Sequence, residues 1–160
     1  MEHYAKVRET RDIVRMDQRG TGLSQRLDVP ECLVAASTSS EGQDKVAPLL
    51  PYLTATDVET STSNVQSQVN QICWDLFTSA GLDLNQFTTA NAAHDLSALI
   101  KALGYERYNI HGVSYGTRFA MTLLNGPPGM EDAPAVRSAV IDSANPPSVR
   151  ILAELPRAKH

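Results

Sequence analysis

Apolar residues recur at helical spacing in two stretches near the middle of the chain. In the first stretch the apolar positions are Val65, Val69, Ile72, Cys73, Leu76 and Phe77. In the second they are Ala92, Ala93, Leu96, Leu99, Ile100 and Leu103. Because this spacing puts apolar side chains on one face, both stretches are predicted to be amphipathic helices. We expect Gly81 to end the first helix. Thr88 or Thr89 would cap the second, and Gly104 would follow its last turn.

Short runs with β-branched residues predict strands around these helices. The runs are residues 12–17, 107–111 and 136–142, and a further helix is predicted over 117–125. Glycine or an Asn-Pro-Pro turn follows each run closely. Strands and helices that alternate in this way are typical of an α/β fold with parallel strands.

Residues 33–64 interrupt this pattern, since they are rich in Ser, Thr, Ala and Pro and have few periodic apolar positions. A long polar surface excursion is therefore predicted there, of the kind that is functional or mobile. The full length of 160 residues is that of one domain. We expect residues 1–160 to form a single domain.

Charge and composition exclude several classes of function. The net charge is −4 with a pI near 5.5, and acidic and basic residues are interspersed. Nucleic acid is therefore not an expected partner. No apolar stretch approaches the roughly 20 residues of a membrane span, and residues 1–16 contain no apolar signal-peptide core. Neither a membrane span nor a signal peptide is predicted.

The chain has two cysteines, Cys32 and Cys73. Neither belongs to a cluster of Cys and His residues, so no metal and no cofactor is predicted. A bridge between them would close a loop of about 40 residues and contribute about 4 kcal/mol to stability. Their spacing alone fits either this disulfide or two buried thiols.

The segment Gly112-Val-Ser-Tyr-Gly116 carries the candidate chemistry, because it matches G-x-S-x-G between a predicted strand and a predicted helix. Ser114 would be a nucleophile on a turn too sharp for ordinary side chains, which explains a glycine on each side. The backbone N–H of Tyr115, at the start of the helix, would be one donor to a developing oxyanion. The alternative is a glycine-rich turn in which Ser114 only caps the helix.

Five segments, taken in order along the chain, resemble one family. They are Asp17-Gln-Arg-Gly-Thr-Gly22, Phe87-Thr-Thr-Ala-Asn-Ala-Ala-His-Asp95, Ala102-Leu-Gly-Tyr105, Gly112-Val-Ser-Tyr-Gly-Thr117, and Ile141-Asp-Ser143 with Pro146-Pro147. The family is the α/β-hydrolase serine peptidases of the prolyl and tripeptidyl aminopeptidase type, and the resemblance extends from about Arg8 to Pro156. It implies a partial α/β-hydrolase fold, with parallel strands and flanking helices. Residues 107–126 would form a strand, a sharp turn that carries the nucleophile (Gly112–Gly116, the elbow) and a helix. The resemblance also implies that Asp17 and Arg19 brace the turn after the first strand.

The resemblance bears on the cysteines as well. Tripeptidyl members are often exported and carry cysteines at positions that Cys32 and Cys73 match. A disulfide between these two residues is therefore implied, together with an oxidising compartment for the parent protein. Many members are secreted or periplasmic, and the localisation of this chain itself stays open.

Several parts of the family's fold have no counterpart in this sequence. Members carry a second oxyanion loop and further strands before the elbow, then a cap domain, an acid and a histidine after it. We therefore expect a central fragment that lacks the N-terminal strands, the cap and the C-terminal strands. Asp142 and His160 follow Ser114 in the chain order of a triad, but neither lies in a context that resembles the family's acid or histidine segment. Asp142 is expected to be a polar residue at a strand end, and His160 a frayed terminus.

Two other histidines lie closer to the motif in sequence. His111 precedes the elbow directly and is expected to pack in the core. His94 lies beside the apolar stripe of its helix and is expected to be at the surface or half-buried.

The resemblance implies a serine hydrolase of the aminopeptidase type, which cleaves N-terminal peptide bonds through an acyl-enzyme on Ser114. Without an evident acid and histidine, weak or no turnover is expected. Two alternatives stay open. One is a carboxylesterase or lipase-type hydrolase, since G-x-S-x-G serves many acyl transfers. The other is a non-catalytic hydrolase-like domain that binds a partner. The partners would be a peptide or ester substrate and a complementing fragment that supplies the histidine.

Overall fold

A computed structural model describes residues 4–53 and 63–149 of the chain. The chain divides into two compact units, Met1–Gln86 and Phe87–His160. The single domain that the sequence predicts stays a prediction. The described residues contain helices and one small parallel sheet of two strands, which fits the α/β class. None of the described helices combines the length and the apolar character needed to cross a bilayer.

The first unit is helical in its described part. Its helices are α1 (Ala5–Arg8), α2 (Val29–Ala36), α3 (Ser40–Val46), α4 (Leu50–Leu53) and α5 (Ser63–Ser79), with 3₁₀ turns at Ala47–Leu49 and Leu84–Gln86. A disulfide joins Cys32 of α2 to Cys73 of α5, with the two Cα atoms 5.6 Å apart. Leu49, Val65 and Val69 are buried around this disulfide and complete the core of the unit. Both the amphipathic face of α5 and the disulfide are therefore confirmed.

In the part that the structure describes, the surface excursion expected over residues 33–64 is helical rather than irregular, while most of its residues are exposed. Helices α2, α3 and α4 follow one another there, and Ala36, Val46 and Leu49 are buried. The hydroxyl of Ser39 accepts a hydrogen bond from the N–H of Gly42 at 3.1 Å and so caps α3. These helices are too short to show a periodic apolar stripe in the sequence. Residues 54–62 of the expected excursion lie outside the described residues.

The strand expected over residues 12–17 is not formed, because residues 12–18 have no regular secondary structure. A strand needs a partner for its backbone hydrogen bonds, and no described strand pairs with this run. The tight turn that follows is present. The carboxylate of Asp17 accepts a hydrogen bond from the N–H of Leu23 at 2.9 Å. A Cβ on Gly22 would lie 2.3 Å from the same carboxyl group, so only glycine fits there.

The two charged residues of this turn have different roles. Asp17 braces the turn itself, as the sequence resemblance implied. Arg19 instead donates a hydrogen bond to the carbonyl oxygen of Gln86 at 2.9 Å. It therefore links the turn to a segment 67 residues further along the chain.

Asp83 stabilises the 3₁₀ turn that carries Gln86. Its carboxylate accepts hydrogen bonds from Nε2 of Gln86 (3.0 Å) and from both the N–H (3.1 Å) and Nδ2 (3.0 Å) of Asn85. These donors, that of Gln86 first, lower the pKa of Asp83 below its ordinary value of 3.8. Because the folded pKa is depressed, this contribution to stability is present above the unfolded pKa and is lost as pH falls through the folded value.

Removal of the two side-chain donors should therefore raise the pKa of Asp83. We expect a ¹³C NMR titration of its carboxyl group to give a higher midpoint in the Asn85→Ala/Gln86→Ala variant than in the wild type. The backbone N–H of Asn85 remains in this variant, so the pKa should return only part of the way. An unchanged midpoint would show that these side chains do not bind the carboxylate in solution.

The second unit contains the parallel sheet and two of the three predicted helices. Its elements are α6 (Thr89–Ala102), β1 (Arg107–Val113), α7 (Tyr115–Asn125) and β2 (Ala135–Asp142). The strands β1 and β2 are parallel and pair in a register that places Val113 opposite Asp142. Helix α7 packs on both β1 and α6, and its residues Phe119, Ala120 and Leu123 are buried. The order strand, helix, strand predicted over residues 107–142 is confirmed.

The predicted ends of α6 are also confirmed. The hydroxyl of Thr88 accepts a hydrogen bond from the N–H of Asn91 at 3.2 Å, and Gly104 has φ +82° just beyond the last turn. One member of the expected apolar stripe differs, because Leu103 lies after the end of α6 and is 51% exposed.

Candidate active site

Ser114 lies between the end of β1 and the start of α7, in a backbone conformation that L-residues rarely adopt. Its φ is 53° and its ψ is −117°, in a region populated mostly by glycine. Its N–H donates to the carbonyl oxygen of Asp142 at 3.0 Å, which continues the pairing of the strands by one residue. Its side chain is exposed and forms no capping hydrogen bond with α7. The structure therefore differs from the alternative in which Ser114 only caps the helix.

Helix α7 consequently begins without a side-chain cap, unlike α3 and α6, which Ser39 and Thr88 cap. Among the described residues, the backbone N–H of Tyr115 has no hydrogen-bond partner. Amides at a helix N-terminus carry partial positive charge, so this N–H can stabilise negative charge that develops next to Ser114. The role of Tyr115 as an oxyanion donor stays a prediction.

The side chain of Tyr115 is held by a hydrogen bond to α6. Its hydroxyl lies 2.7 Å from the hydroxyl of Thr89, the first residue of α6. Tyr115 is 41% exposed, so its ring forms part of the surface beside Ser114.

The two glycines of the motif differ in what the structure requires of them. A Cβ on Gly112 would lie 2.2 Å from the carbonyl oxygen of Gly116 and 2.9 Å from the nitrogen of Thr117. Strand β1 and the first turn of α7 thus touch at Gly112, and only glycine fits there. A Cβ on Gly116 would meet no atom within 4 Å. The expectation that the sharp turn needs both glycines is therefore wrong at Gly116 for the described residues.

A buried threonine joins the elbow to the loop after β2. The hydroxyl of Thr117, which has no exposed surface, donates to the carbonyl oxygen of Ser114 at 2.6 Å. The same hydroxyl accepts a hydrogen bond from the N–H of Asn145 at 2.7 Å. The guanidinium of Arg118 donates to three oxygen atoms of residues 145–149 and holds that loop in place.

Neither Thr117 nor Arg118 belongs to the site that the sequence predicts. The signal for Thr117 was a polar residue in the buried stripe of α7, where it shares a face with Ala120 and Leu123. A buried hydroxyl requires partners, so this position predicts a specific hydrogen bond. The identity of the partners depends on the loop after β2, which the local pattern does not describe.

Asp142 ends β2 beside the elbow. Its carbonyl oxygen, rather than its carboxylate, bonds to Ser114. Its exposed carboxylate accepts a hydrogen bond from the hydroxyl of Ser143 at 3.2 Å. Ser143 has φ +58°, so two adjacent strands each end in a serine with positive φ. The second serine provides a matched control for experiments on Ser114.

Neither of the described histidines forms a hydrogen bond with Ser114. His111 is exposed rather than packed in the core, because it falls on the exposed face of β1 and pairs with Val140. His94 is half-buried on α6, where its Cε1 would lie 3.5 Å from a Cβ on Gly129. The remaining candidate, His160, lies outside the described residues. Within the described ranges, therefore, no hydrogen bond joins a base to the Ser114 hydroxyl.

Other features of the second unit lie away from the elbow. A surface cavity of about 370 Å³, lined by residues 101, 104–106 and 132–134, is at the opposite end of β1 from Ser114. Glu131 accepts a hydrogen bond from the N–H of Gly129, and backbone hydrogen bonds lower the pKa of its carboxyl group. No group of three or more His, Cys, Asp or Glu residues in the described part of the chain is arranged to share a metal ion.

Comparison of the chain with protein-family models, with curated proteins and with solved structures returned no match. The function is therefore inferred from the geometry of residues 112–117 and from the five sequence segments that resemble one family.

Proposed function

We propose that this chain is a serine hydrolase of the aminopeptidase type, built on part of an α/β-hydrolase fold, with Ser114 as its nucleophile. The observation that carries the proposal is the conformation of Ser114, at φ 53° and ψ −117°, with an exposed side chain that forms no capping hydrogen bond with α7. A strained backbone of this kind costs about 1–3 kcal/mol, and a capping hydrogen bond would contribute about 1 kcal/mol. Ser114 keeps the strained backbone and forms no capping hydrogen bond, so its hydroxyl is available to a substrate.

In the proposed reaction, Oγ of Ser114 attacks the carbonyl carbon of an N-terminal peptide bond while a base takes the hydroxyl proton. The resulting oxyanion accepts a hydrogen bond from the N–H of Tyr115. The base then returns the proton to the leaving amine, an acyl-enzyme forms, and water releases it. One oxyanion donor typically contributes a factor of about 10²–10³ to the rate.

The proposed reaction needs a base that takes the proton of the Ser114 hydroxyl. In chain order it is His160 or a histidine of a complementing fragment. Since the described residues place no base against Ser114, we expect slow turnover by the chain alone, near the residual rate of an incomplete triad.

Reaction with a fluorophosphonate probe tests the nucleophile directly. The intact mass of the treated protein should show one slow adduct, which disappears in Ser114→Ala. The adduct should persist in Ser143→Ala, because Ser143 also has positive φ but does not precede a helix. If His160 is the base, His160→Gln should reduce the rate of labelling further.

Absence of an adduct on a chain shown to be folded would contradict the proposal and favour a non-catalytic hydrolase-like domain. An adduct that persists in Ser114→Ala would also contradict it. For a labelled protein, nitrophenyl esters and aminoacyl nitroanilides separate the two enzymatic classes. We expect hydrolysis of both, whereas hydrolysis of the esters alone would favour the carboxylesterase.

A further inference from the structure

We infer that Thr117 is a positioning residue for the elbow, whose buried hydroxyl orients the backbone N–H of Tyr115 toward the substrate oxygen. The hydrogen-bond arrangement stands on its own geometry, whereas its effect on reaction rate rests on the proposed function of Ser114. The inference adds a residue outside the G-x-S-x-G motif to the machinery of the site.

The peptide bond between Ser114 and Tyr115 is planar. The carbonyl of Ser114 and the N–H of Tyr115 belong to the same peptide plane and point in opposite directions. Thr117 donates to this carbonyl oxygen twice, from its hydroxyl at 2.6 Å and from its backbone N–H at 3.0 Å. Fixing the carbonyl therefore fixes the direction of the Tyr115 N–H.

The hydroxyl proton of Thr117 has a defined direction. The backbone N–H of Asn145 can only donate, so Thr117 Oγ1 must be the acceptor in that 2.7 Å hydrogen bond. The hydroxyl proton is then directed to the carbonyl oxygen of Ser114. Thr117 has no exposed surface, so water does not compete for either bond.

The loop that contains Asn145 is held by Arg118. Arg118 donates to Oδ1 of Asn145 (3.3 Å) and to the carbonyl oxygens of Pro146 (3.0 Å) and Val149. The loop is thus attached to the first turn of α7, and the Asn145 N–H is held against Thr117. The elbow is consequently fixed by the loop after β2 as well as by the strand pairing at Asp142.

A matched pair of substitutions isolates the hydroxyl. Thr117→Val keeps the shape of the side chain and removes the two hydrogen bonds of the hydroxyl, to Ser114 and from Asn145. Thr117→Ser keeps the hydroxyl and removes the methyl group. We expect Thr117→Val to shift the amide resonances of Tyr115 and to reduce fluorophosphonate labelling by about 100-fold, as small misplacements in active sites do. Thr117→Ser should restore both toward the wild type.

A measurement on the wild-type chain does not depend on whether the valine variant folds. The amide hydrogen of Asn145, although it lies in a loop, should exchange at least about tenfold more slowly than in an unstructured peptide, because of its bond to the buried hydroxyl. This protection should be retained in Thr117→Ser and lost in Thr117→Val.

Three results would overturn the inference. The first is fast exchange of Asn145 in the wild type, and the second is a Tyr115 amide that does not move in folded Thr117→Val. The third is a serine variant that behaves like the valine variant, since the methyl group would then matter rather than the hydroxyl. If the wild type is not labelled at all, the proposed function fails, while the two amide measurements still decide the role of Thr117.

Discussion

Replacement of Gly112 with alanine should destabilise the second unit by about 3 kcal/mol, in the upper part of the range for overpacked sites. The new Cβ would lie 2.2 Å and 2.6 Å from the carbonyl oxygen and carbon of Gly116 and 2.9 Å from the nitrogen of Thr117. All three are backbone atoms, so no side-chain rotation relieves the overlap. The start of α7 must move away from β1, and Ser114 loses its position between them.

Gly116→Ala is the matched control for this experiment. It adds the same methyl group at the second residue of α7, where no described atom beyond the neighbouring backbone of the helix lies within 4 Å. Alanine favours helix by up to about 1 kcal/mol over glycine, so stability should be equal or higher. Urea denaturation followed by far-UV circular dichroism measures both variants, and NMR amide resonances of α7 assign the change to the second unit. Equal stability of Gly112→Ala and the wild type would contradict the close contact.

Loss of the disulfide should have the largest effect on the first unit. The bridge spans a sequence separation of 41 residues, for which the chain-entropy relation gives about 4 kcal/mol. Leu49, Val65 and Val69 pack around it, so the core of this unit also loses its fixed centre. We expect Cys32→Ala/Cys73→Ala, or reduction of the wild type, to lower the midpoint of denaturation markedly.

The only tryptophan of the chain makes this effect measurable in the first unit alone. Trp74 follows Cys73 on α5 and is about half exposed, at 49%. Its fluorescence during urea denaturation should show an early transition in the reduced protein and a late one in the oxidised protein. The double alanine variant is the control, since reductant should not change its transition. A midpoint in the wild type that is independent of reductant would show that the disulfide does not support this core.

The elements that the sequence predicted correctly are those with long periodic patterns. Helices α5 and α6 each carry an apolar stripe over several turns, and β1 and β2 are bounded by glycine and proline turns. The segment 33–53 gave no such signal, because its helices have at most eight residues. The run 12–17 has a strand-like composition, but strand formation depends on a partner that sequence pattern alone does not supply.

The sequence also predicted part of the candidate site but not its contacts with distant residues. The motif places Ser114 at a strand–helix junction, which the structure also has. The difference between Gly112 and Gly116 depends on which residues touch across the turn, and identical residue types carry no such information. The bond from Thr117 to Asn145 joins residues 28 positions apart, so it follows from the fold rather than from local spacing.

The backbone at Ser114 has a consequence for how this chain would change over generations. Its conformation lies in the mirror-image β region, which glycine reaches readily because it has no Cβ. Under selection for folding alone, a mutation from serine to glycine at this position would be favoured and would tend to spread. The larger loss of backbone entropy by glycine, about 0.5–1 kcal/mol, offsets part of the relieved strain of about 1–3 kcal/mol. A serine at this position is therefore most readily maintained in a lineage whose survival depends on what the side chain does.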